Sequence, residues 1–250
     1  MDRRQLSVVD AAALLGVHPQ RIHQRIRSGS LPAMRIGRQW VVEEGDVRRL
    51  RRHRDPGRPL SEKSAWDLLA VAADDVPSVA ALSPSSRSRA RSRLRELVAG
   101  VASAPIEEAV PRIERALGRR SVRALFAASP RDLPELRGDP RIAPSGLSSS
   151  EADLSSGDVV EGYVSSADLA GVVDDHLLER ADRARAGVVL HVVAAERAEA
   201  VDLARYARSP LAVAAALAEH DDVRAHDATV RLVESLAAGR EAFDEDSRHA

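Results

Sequence analysis

Side chains that can read the edges of DNA bases recur within PQRIHQRIR, residues 19–27. A Gln amide can pair with adenine through two hydrogen bonds, and an Arg guanidinium can pair with guanine in the same way. At about 100° per residue, Ile22 and Ile26 share one face of a helix, and the polar side chains occupy the rest of its surface. These candidates for contact with nucleic acid are Gln20, Arg21, His23, Gln24, Arg25 and Arg27.

A first helix and a tight turn must hold this helix in place. Ser7 and Asp10 form a Ser-x-x-Asp start, in which each side chain can satisfy free amides of the first helical turn. Gly16 supplies the left-handed residue that ends a helix, and Pro19 is favoured in the first turn of the next one. Gly29 ends that second helix. Two helices crossing over so short a turn predict a helix-turn-helix.

A short hairpin follows the two helices. AMRIGRQWVV, residues 33–42, predicts two strands joined at Gly37, with Arg38 at the tip, where it can meet a phosphate or a minor groove; Arg35 is a further candidate. We expect Trp40 to anchor this wing to the helices, with stacking on nucleic acid as the alternative. EEGDVRRLRR then predicts a third helix, in which Arg48 is a candidate for a phosphate contact, against the alternative of a solvated surface charge.

The combined spacing resembles the excisionase/MerR-like winged helix-turn-helix family. The matching pieces are Leu14-Leu15-Gly16-Val17, His18-Pro19, Ile22, Ile26, Gly29-Ser30-Leu31-Pro32, Arg35-Ile36-Gly37-Arg38 and Trp40. His18 departs from the family, which usually has Ser there, and His is a poorer helix cap. The resemblance implies that residues 1–54 bind double-stranded DNA with the second helix in the major groove.

Charge is distributed unevenly along the chain, whose 250 residues carry a net charge of −1. Residues 1–60 hold 13 Arg against 6 acidic residues, a net of +7, whereas residues 151–250 hold 10 Arg against 21 acidic residues, a net of −11. A basic head on an acidic tail favours a polyanion at one end and a different partner at the other. The abundance of Arg alone is weaker evidence for a polyanion partner, because Lys63 is the sole Lys and the whole chain is rich in Arg and Ala.

The remaining composition predicts a cytoplasmic protein. Cys is absent, which removes disulfide frameworks and thiolate metal sites and suits a reducing compartment. Asp10 interrupts the apolar run near the start, so we expect no signal peptide. No apolar run reaches the length of about 20 residues that spans a bilayer, so we expect no membrane association.

The chain is predicted to be mainly α with small β elements, in four parts. After the winged helix-turn-helix of residues 1–54 comes a linker at 55–60, then a helical region at 61–142 and an α+β C-terminal domain at 143–250. SVRALFAA is assigned to a helix of the middle region, and SPRDLPELRGDPRIAPSGLSSS to a loop or boundary. DVVEGYVS and GVVLHVVA are predicted strands; a helix through ATVRLVESLAAG precedes a frayed tail.

From Arg58 onward the pattern resembles helix-turn-helix antitoxins of the abortive-infection AbiEi type. The matching pieces are GRPLSEKSAWDLLA, LRGDPRIAPSG, VEGYVSSADLAGVV, GVVLHVV and PLAVAAALAEHDDVRAHDA. The resemblance implies an autorepressor that sits beside a nucleotidyltransferase-like toxin. Within the middle region, Arg recurs at every second position from Arg87 to Arg95, which wraps charge around a helix. A solvated helix exterior is the favoured interpretation of that run, and phosphate binding is the alternative.

Catalytic patterns are absent from the sequence. It contains no Gly-rich phosphate loop, no Gly-x-Ser-x-Gly elbow and no His-Glu-x-x-His. His220 and His226 are six residues apart, which does not place them on one helical face as metal ligands. Tyr163 and His191 fall in predicted strands and are assigned to the core or an interface. We therefore expect neither catalysis nor a cofactor nor a metal.

These observations predict a transcriptional regulator that binds double-stranded DNA, and more specifically the repressor and antitoxin of a toxin–antitoxin pair. The protein partner would then be the toxin, bound through the C-terminal half, and a homo-oligomer stays open. An excisionase-like architectural protein or a ligand-sensing regulator is the first alternative. The second is a protein-interaction module that does not read DNA.

Overall fold

Two units make up the chain in the computed structural model: unit 1, Met1–Gly57, and unit 2, Arg58–Ala250. The structure describes residues 5–15, 17–27, 31–37, 39–47, 59–154 and 157–246. The prediction of a mainly α chain with small β elements is confirmed.

Unit 1 packs two helices against a small sheet. Its elements are β1 (Gln5–Ser7), α1 (Val8–Leu14), α2 (Pro19–Arg27), β2 (Met34–Ile36), β3 (Gln39–Glu43) and the helical residues 44–47, here α3. The strands are antiparallel in the order β1-β3-β2. The apolar face of each element meets in one core, formed by Val8, Ala11, Ala12, Leu15, Ile22, Leu31, Val42 and Val47.

Unit 2 begins with four helices and continues as an α/β arrangement. The helices are α4 (Glu62–Ala72), α5 (Val76–Ala81), α6 (Pro84–Ala102) and α7 (Ile106–Leu117). There follow β4 (Val122–Ala127), α8 (Leu133–Gly138), β5 (Ala143–Pro144), 3₁₀ turns at Gly146–Ser148 and Ser150–Ala152, β6 (Val160–Ser165) and α9 (Leu169–Asp175). The chain ends with β7 (Glu179–Arg180), β8 (Val188–Val193), α10 (Ala195–Glu199), α11 (Leu203–Arg208), α12 (Pro210–Ala218) and α13 (Val223–Asp246).

The sheet of unit 2 has five strands in the order β5-β6-β8-β4-β7. The central pair β6 and β8 is parallel, and the other pairs are antiparallel. Alternate residues of a strand point to opposite faces, and both faces of this sheet are covered. Val160, Val164 and Leu190 pack with α8 and α9 on one face, whereas Tyr163 and Val193 pack with the helices on the other.

The helix α12 lies at the centre of unit 2. Its residues Leu211–Ala218 are all buried, as expected for a helix that is apolar around its whole circumference. It packs against α7 and α13 and against the two 3₁₀ turns. Ser209 and Pro210 begin the helix, and Pro at this position costs no backbone hydrogen bond.

The assignment of SVRALFAA to a helix is wrong, because Val122–Ala127 form strand β4. This strand lies between β8 and β7, and Ala124 and Phe126 fill the core beneath the sheet. The predicted regions 61–142 and 143–250 therefore share one sheet, and both contribute residues to the core on each of its faces, within the unit Arg58–Ala250. The predicted linker at 55–60 lies outside the described residues, except for residues 59 and 60.

Two element boundaries also differ from the predictions. The segment predicted as a loop or boundary contains α8, β5 and a 3₁₀ turn, because its buried Leu133, Leu136 and Ile142 pack onto the sheet. The helix α13 extends through the predicted frayed tail to Asp246, where residues 240–246 contain neither Pro nor Gly to break it.

Candidate nucleic-acid interface

The start of α1 is capped by its own side chains. Ser7 Oγ accepts a hydrogen bond of 3.1 Å from the Asp10 N–H and donates one of 2.7 Å to Asp10 Oδ2. The first of these bonds satisfies an amide at the helix start that has no partner within the helix. Because Ala11 and Ala12 are almost fully buried in the core of unit 1, the direction of α1 is fixed by both capping and packing.

The turn between α1 and α2 is held by backbone hydrogen bonds. The Val17 N–H donates to the Ala12 carbonyl at 2.9 Å, which closes the end of α1. His18 then begins α2: its Nδ1 accepts from the Gln20 N–H at 3.4 Å, and its carbonyl accepts from the Arg21 N–H at 2.9 Å. His18 thus takes the capping role that Ser takes in the family resembled. The ring nitrogen that accepts must be the deprotonated one.

The outer surface of α2 carries the predicted polar groups. Ile22 is 0% exposed and packs in the core of unit 1, which turns the opposite side of the helix outward. Gln20, Arg21 and Gln24 are exposed there. His23 and Arg25 are half-buried at the sides of the helix. The side chain of Arg27 and the helix end predicted at Gly29 lie outside the described residues.

The wing is a two-stranded ribbon anchored by Trp40. Strands β2 and β3 pair with Arg35 opposite Trp40, and Gly37 has φ +62° in the turn, a conformation that favours Gly. Trp40 is half-buried against the core of unit 1, as predicted. The Arg35 guanidinium carbon lies 6.0 Å from the centre of the Trp40 ring and its side chain is exposed. Arg38 and Arg48 lie outside the described residues.

Comparison with known proteins supports the assignment of a helix-turn-helix to this part of the chain. Residues 6–55 match the family model of the helix-turn-helix domain. No curated protein and no solved structure matches the chain. The match and the fold of unit 1 indicate a DNA-binding regulator with an excisionase-like N-terminal helix-turn-helix. The predicted AbiEi-type resemblance of unit 2 has no support in these comparisons, and the roles of individual DNA-binding residues stay predictions.

Unit 2 contains a buried polar network that the sequence did not reveal. Glu161 is 0% exposed, and its two carboxylate oxygens each lie 2.9 Å from an imidazole Nε2, that of His191 and that of His220. The Leu147 N–H donates to the same carboxylate at 2.8 Å. Burial raises the pKa of Glu161, but hydrogen bonds from both His side chains outweigh it and hold the pKa well below its usual range.

Arg120 extends this network toward the helices. It is 1% exposed, and its Nη1 donates to Glu219 Oε1 at 2.6 Å while its Nε donates to the Tyr163 hydroxyl at 2.5 Å. Its Nη2 lies 3.3 Å from His191 Nδ1. Burial opposes the charge of Arg120, yet Tyr163 and Glu219 raise its pKa above the usual value. The sequence carries two signs of this network, because Glu161 and His191 are each an ionisable residue within a largely apolar strand. Tyr163 and His191 are buried, as predicted.

A second polar cluster joins α8 to α9. Asp139 is buried, and its Oδ2 accepts from Arg141 Nη2 at 2.6 Å and lies 2.9 Å from His176 Nε2. The hydrogen bonds from Arg141 are the main reason that the pKa of Asp139 lies well below its usual range. Arg141 also bonds Asp175 at the end of α9, at 2.8 Å. The cluster fixes the loop that precedes β5.

Two negative findings apply to the part of the chain that the structure describes. No group of three or more His, Asp or Glu side chains in it could hold a metal ion. No helix in it is long and apolar enough to cross a membrane.

Proposed function

We propose that the chain is a sequence-specific transcriptional regulator that binds double-stranded DNA through unit 1. Helix α2 would enter the major groove, and the wing of β2 and β3 would meet the backbone or the minor groove. The observation that carries this proposal is the orientation of α2: Ile22 is buried while Gln20, Arg21 and Gln24 are exposed on the outer surface. Amide and guanidinium groups so placed can contact base edges and phosphates.

Binding to DNA upstream of the chain's own gene tests this proposal. We expect Gln24→Ala to reduce the difference in affinity between the preferred site and a site with one changed base pair, by about 1–3 kcal/mol, because Ala cannot make the bidentate bond to a base. Gln5→Ala is the matched control, since Gln5 is also exposed in unit 1 but lies on β1. Fluorescence anisotropy with labelled duplexes measures the affinity of each variant for the two sites. Equal affinity of the unaltered chain for all sequences would contradict the proposal.

Within that function, we propose that the chain represses its own operon as the antitoxin of a toxin–antitoxin pair. Support comes from the charge of unit 2: residues 58–250 hold 25 basic and 32 acidic residues, a net of −7, which suits a basic protein partner better than DNA. The toxin would be nucleotidyltransferase-like. Co-expression with the product of the adjacent gene tests this, with rescue of growth and co-purification as the expected results.

We also propose that the chain acts in the cytoplasm and has no catalytic activity. The absence of Cys suits a reducing compartment. In unit 2 the buried ionisable groups pair with one another, as Glu161 does with His191 and His220, so their polar atoms are already engaged. Fractionation of the native host tests the location.

A further inference from the structure

The five arginines of α6 do not form one group. Arg87 is engaged within unit 2: its Nε donates to the Val79 carbonyl at 3.2 Å and its Nη2 to the Ala80 carbonyl at 3.2 Å, which satisfies the end of α5. The other four extend from the helix surface, with Arg89, Arg91 and Arg95 exposed and Arg93 half-buried. We define these four residues as the α6 arginine surface.

No carboxylate among the described residues neutralises this surface. Arg89 Nη2 contacts Ser86 Oγ at 3.4 Å, and none of the four forms an ion pair with a described residue. The acidic residue of α6, Glu96, instead accepts from Ser92 Oγ at 2.9 Å. Some other exposed arginines of unit 2 do have acidic partners, as Arg183 has Asp221.

The positions of the four arginines work against the stability of α6. Arg89 and Arg93 are four residues apart, as are Arg91 and Arg95, and like charges at this spacing repel each other on a helix. A bound polyanion would relieve this repulsion.

The helix geometry suits a phosphate backbone. Ala90 and Leu94 are buried, and at about 100° per residue the two arginine pairs fall on either side of the outward ridge, which carries Ser88 and Ser92. Ser88 and Ser92 are small enough to permit a close approach over their part of the ridge, and the exposed carboxylate of Glu96 follows them on the same row. Arg89 and Arg95 are about 9 Å apart along the axis of α6, at about 1.5 Å per residue. Over about that length of its own axis a duplex presents about five phosphates, at one per about 1.7 Å with both strands counted.

We propose that the α6 arginine surface is a second DNA-binding site, which contacts the phosphate backbone of the duplex that unit 1 binds. The inference rests on the proposed function of unit 1. Unit 2 as a whole is acidic, with a net charge of −7 from 25 basic and 32 acidic residues, so general attraction to DNA does not account for such a site. Phosphate contacts of this kind add affinity without sequence preference.

The salt dependence of DNA binding by the full chain tests the proposal. We compare two double variants, Arg89→Ala/Arg93→Ala and Arg91→Ala/Arg95→Ala, and the quadruple variant. The slope of log K against log salt is negative, and it becomes less negative by about 0.9 for each phosphate that an arginine no longer neutralises. We therefore expect the slope to become less negative by about 2 in each double variant and by about 4 in the quadruple variant. We also expect all three variants to bind at least about tenfold more weakly in low salt.

A matched control removes the same charge elsewhere. Arg224→Ala/Arg231→Ala takes two exposed arginines from α13 and should leave the slope unchanged. Circular dichroism checks that helix content is retained. One outcome would overturn this inference alone: every α6 variant has the same salt slope as the unaltered chain, while Gln24→Ala still reduces discrimination between sites. DNA would then be excluded as the partner of the α6 arginine surface. Failure of the unaltered chain to bind any duplex would overturn the proposed function and this inference together.

Discussion

Glu161 is a single ionised side chain on which the interior of unit 2 depends. It faces His191 and His220 directly, and Arg120 and Glu219 lie beyond them. The space around it is closed on the remaining side by Gly146, whose φ is +53° and at which an added Cβ would collide with Glu161 Oε2. Only Gly can satisfy both the backbone conformation and the approach of the carboxylate.

We expect Glu161→Gln to lower the free energy of unfolding of unit 2 by about 3–5 kcal/mol at neutral pH, because the imidazoles of His191 and His220 lose the buried anion that they contact. Chemical denaturation followed by circular dichroism measures this loss. Glu179→Gln is the control, since Glu179 is an exposed carboxylate on β7.

The same variant has a pH signature. The pKa of Glu161 lies below its ordinary value of 4.5, so its ionised form adds stability above about pH 4.5 that is lost as the pH falls toward the lowered pKa. We expect Glu161→Gln to flatten the acid side of the stability profile. An acid dependence as steep as that of the unaltered chain would show that Glu161 does not govern it.

At the scale of elements, α12 is the helix of unit 2 that is buried over residues Leu211–Ala218. Its small side chains allow α7 and α13 to lie close on different sides, and Thr229 of α13 reaches across to the Ala214 carbonyl at 3.3 Å. Ala212, Ala214 and Ala215 are at most 1% exposed. Because residues 211–218 are all buried, a larger side chain at any of these positions would have to displace its neighbours.

We expect Ala215→Leu to destabilise unit 2 by about 1–3 kcal/mol, because added methylene groups in a filled core displace side chains or helices. Ala99→Leu is the control, since Ala99 lies on the exposed side of α6 and Leu is nearly as favourable as Ala in a helix. Thermal unfolding of the two variants compares them. A melting temperature for Ala215→Leu equal to that of the control would contradict tight packing around α12.

Elements with strong local signals were predictable from the sequence, and those set by distant partners were not. The Ser7 cap and the apolar spacing of Ile22 and Ile26 lie within a few residues of the helices they determine. Strand β4 was missed because β8, which makes it a strand, begins at Val188. The Glu161 network was missed for the same reason, since its imidazoles come 30 and 59 residues later in the chain.

At the scale of the whole molecule, the two units differ in net charge and in the burial of their carboxylates. Unit 1 carries 12 basic and 6 acidic residues, a net of +6, and unit 2 a net of −7 from 25 basic and 32 acidic residues. Unit 2 also contains the buried carboxylates Glu161 and Asp139, whose pKa values are lowered by their partners. Acid therefore removes a specific source of stability from unit 2.

The chain provides its own reporters of this difference, because its two Trp residues, Trp40 and Trp66, lie one in each unit. Trp66 is 3% exposed and donates to the Arg120 carbonyl at 3.0 Å, so its fluorescence follows the interior of unit 2. The variant Trp40→Phe retains this reporter alone, and Trp66→Phe retains the reporter of unit 1.

Trp66 is observed in the Trp40→Phe chain, and Trp40 is observed in the Trp66→Phe chain. On acidification we expect the fluorescence of Trp66 to change at a higher pH than the fluorescence of Trp40. Protonation of Glu161 and Asp139 is favoured in unfolded unit 2, where their pKa values return toward the ordinary 4.5 and 3.8, so stability falls as the pH drops below about 4.5. Adding Glu161→Gln to the Trp40→Phe chain should make its transition less dependent on pH. Coincident transitions, or a change at Trp40 first, would mean that the carboxylates of unit 2 do not set the acid limit of the molecule.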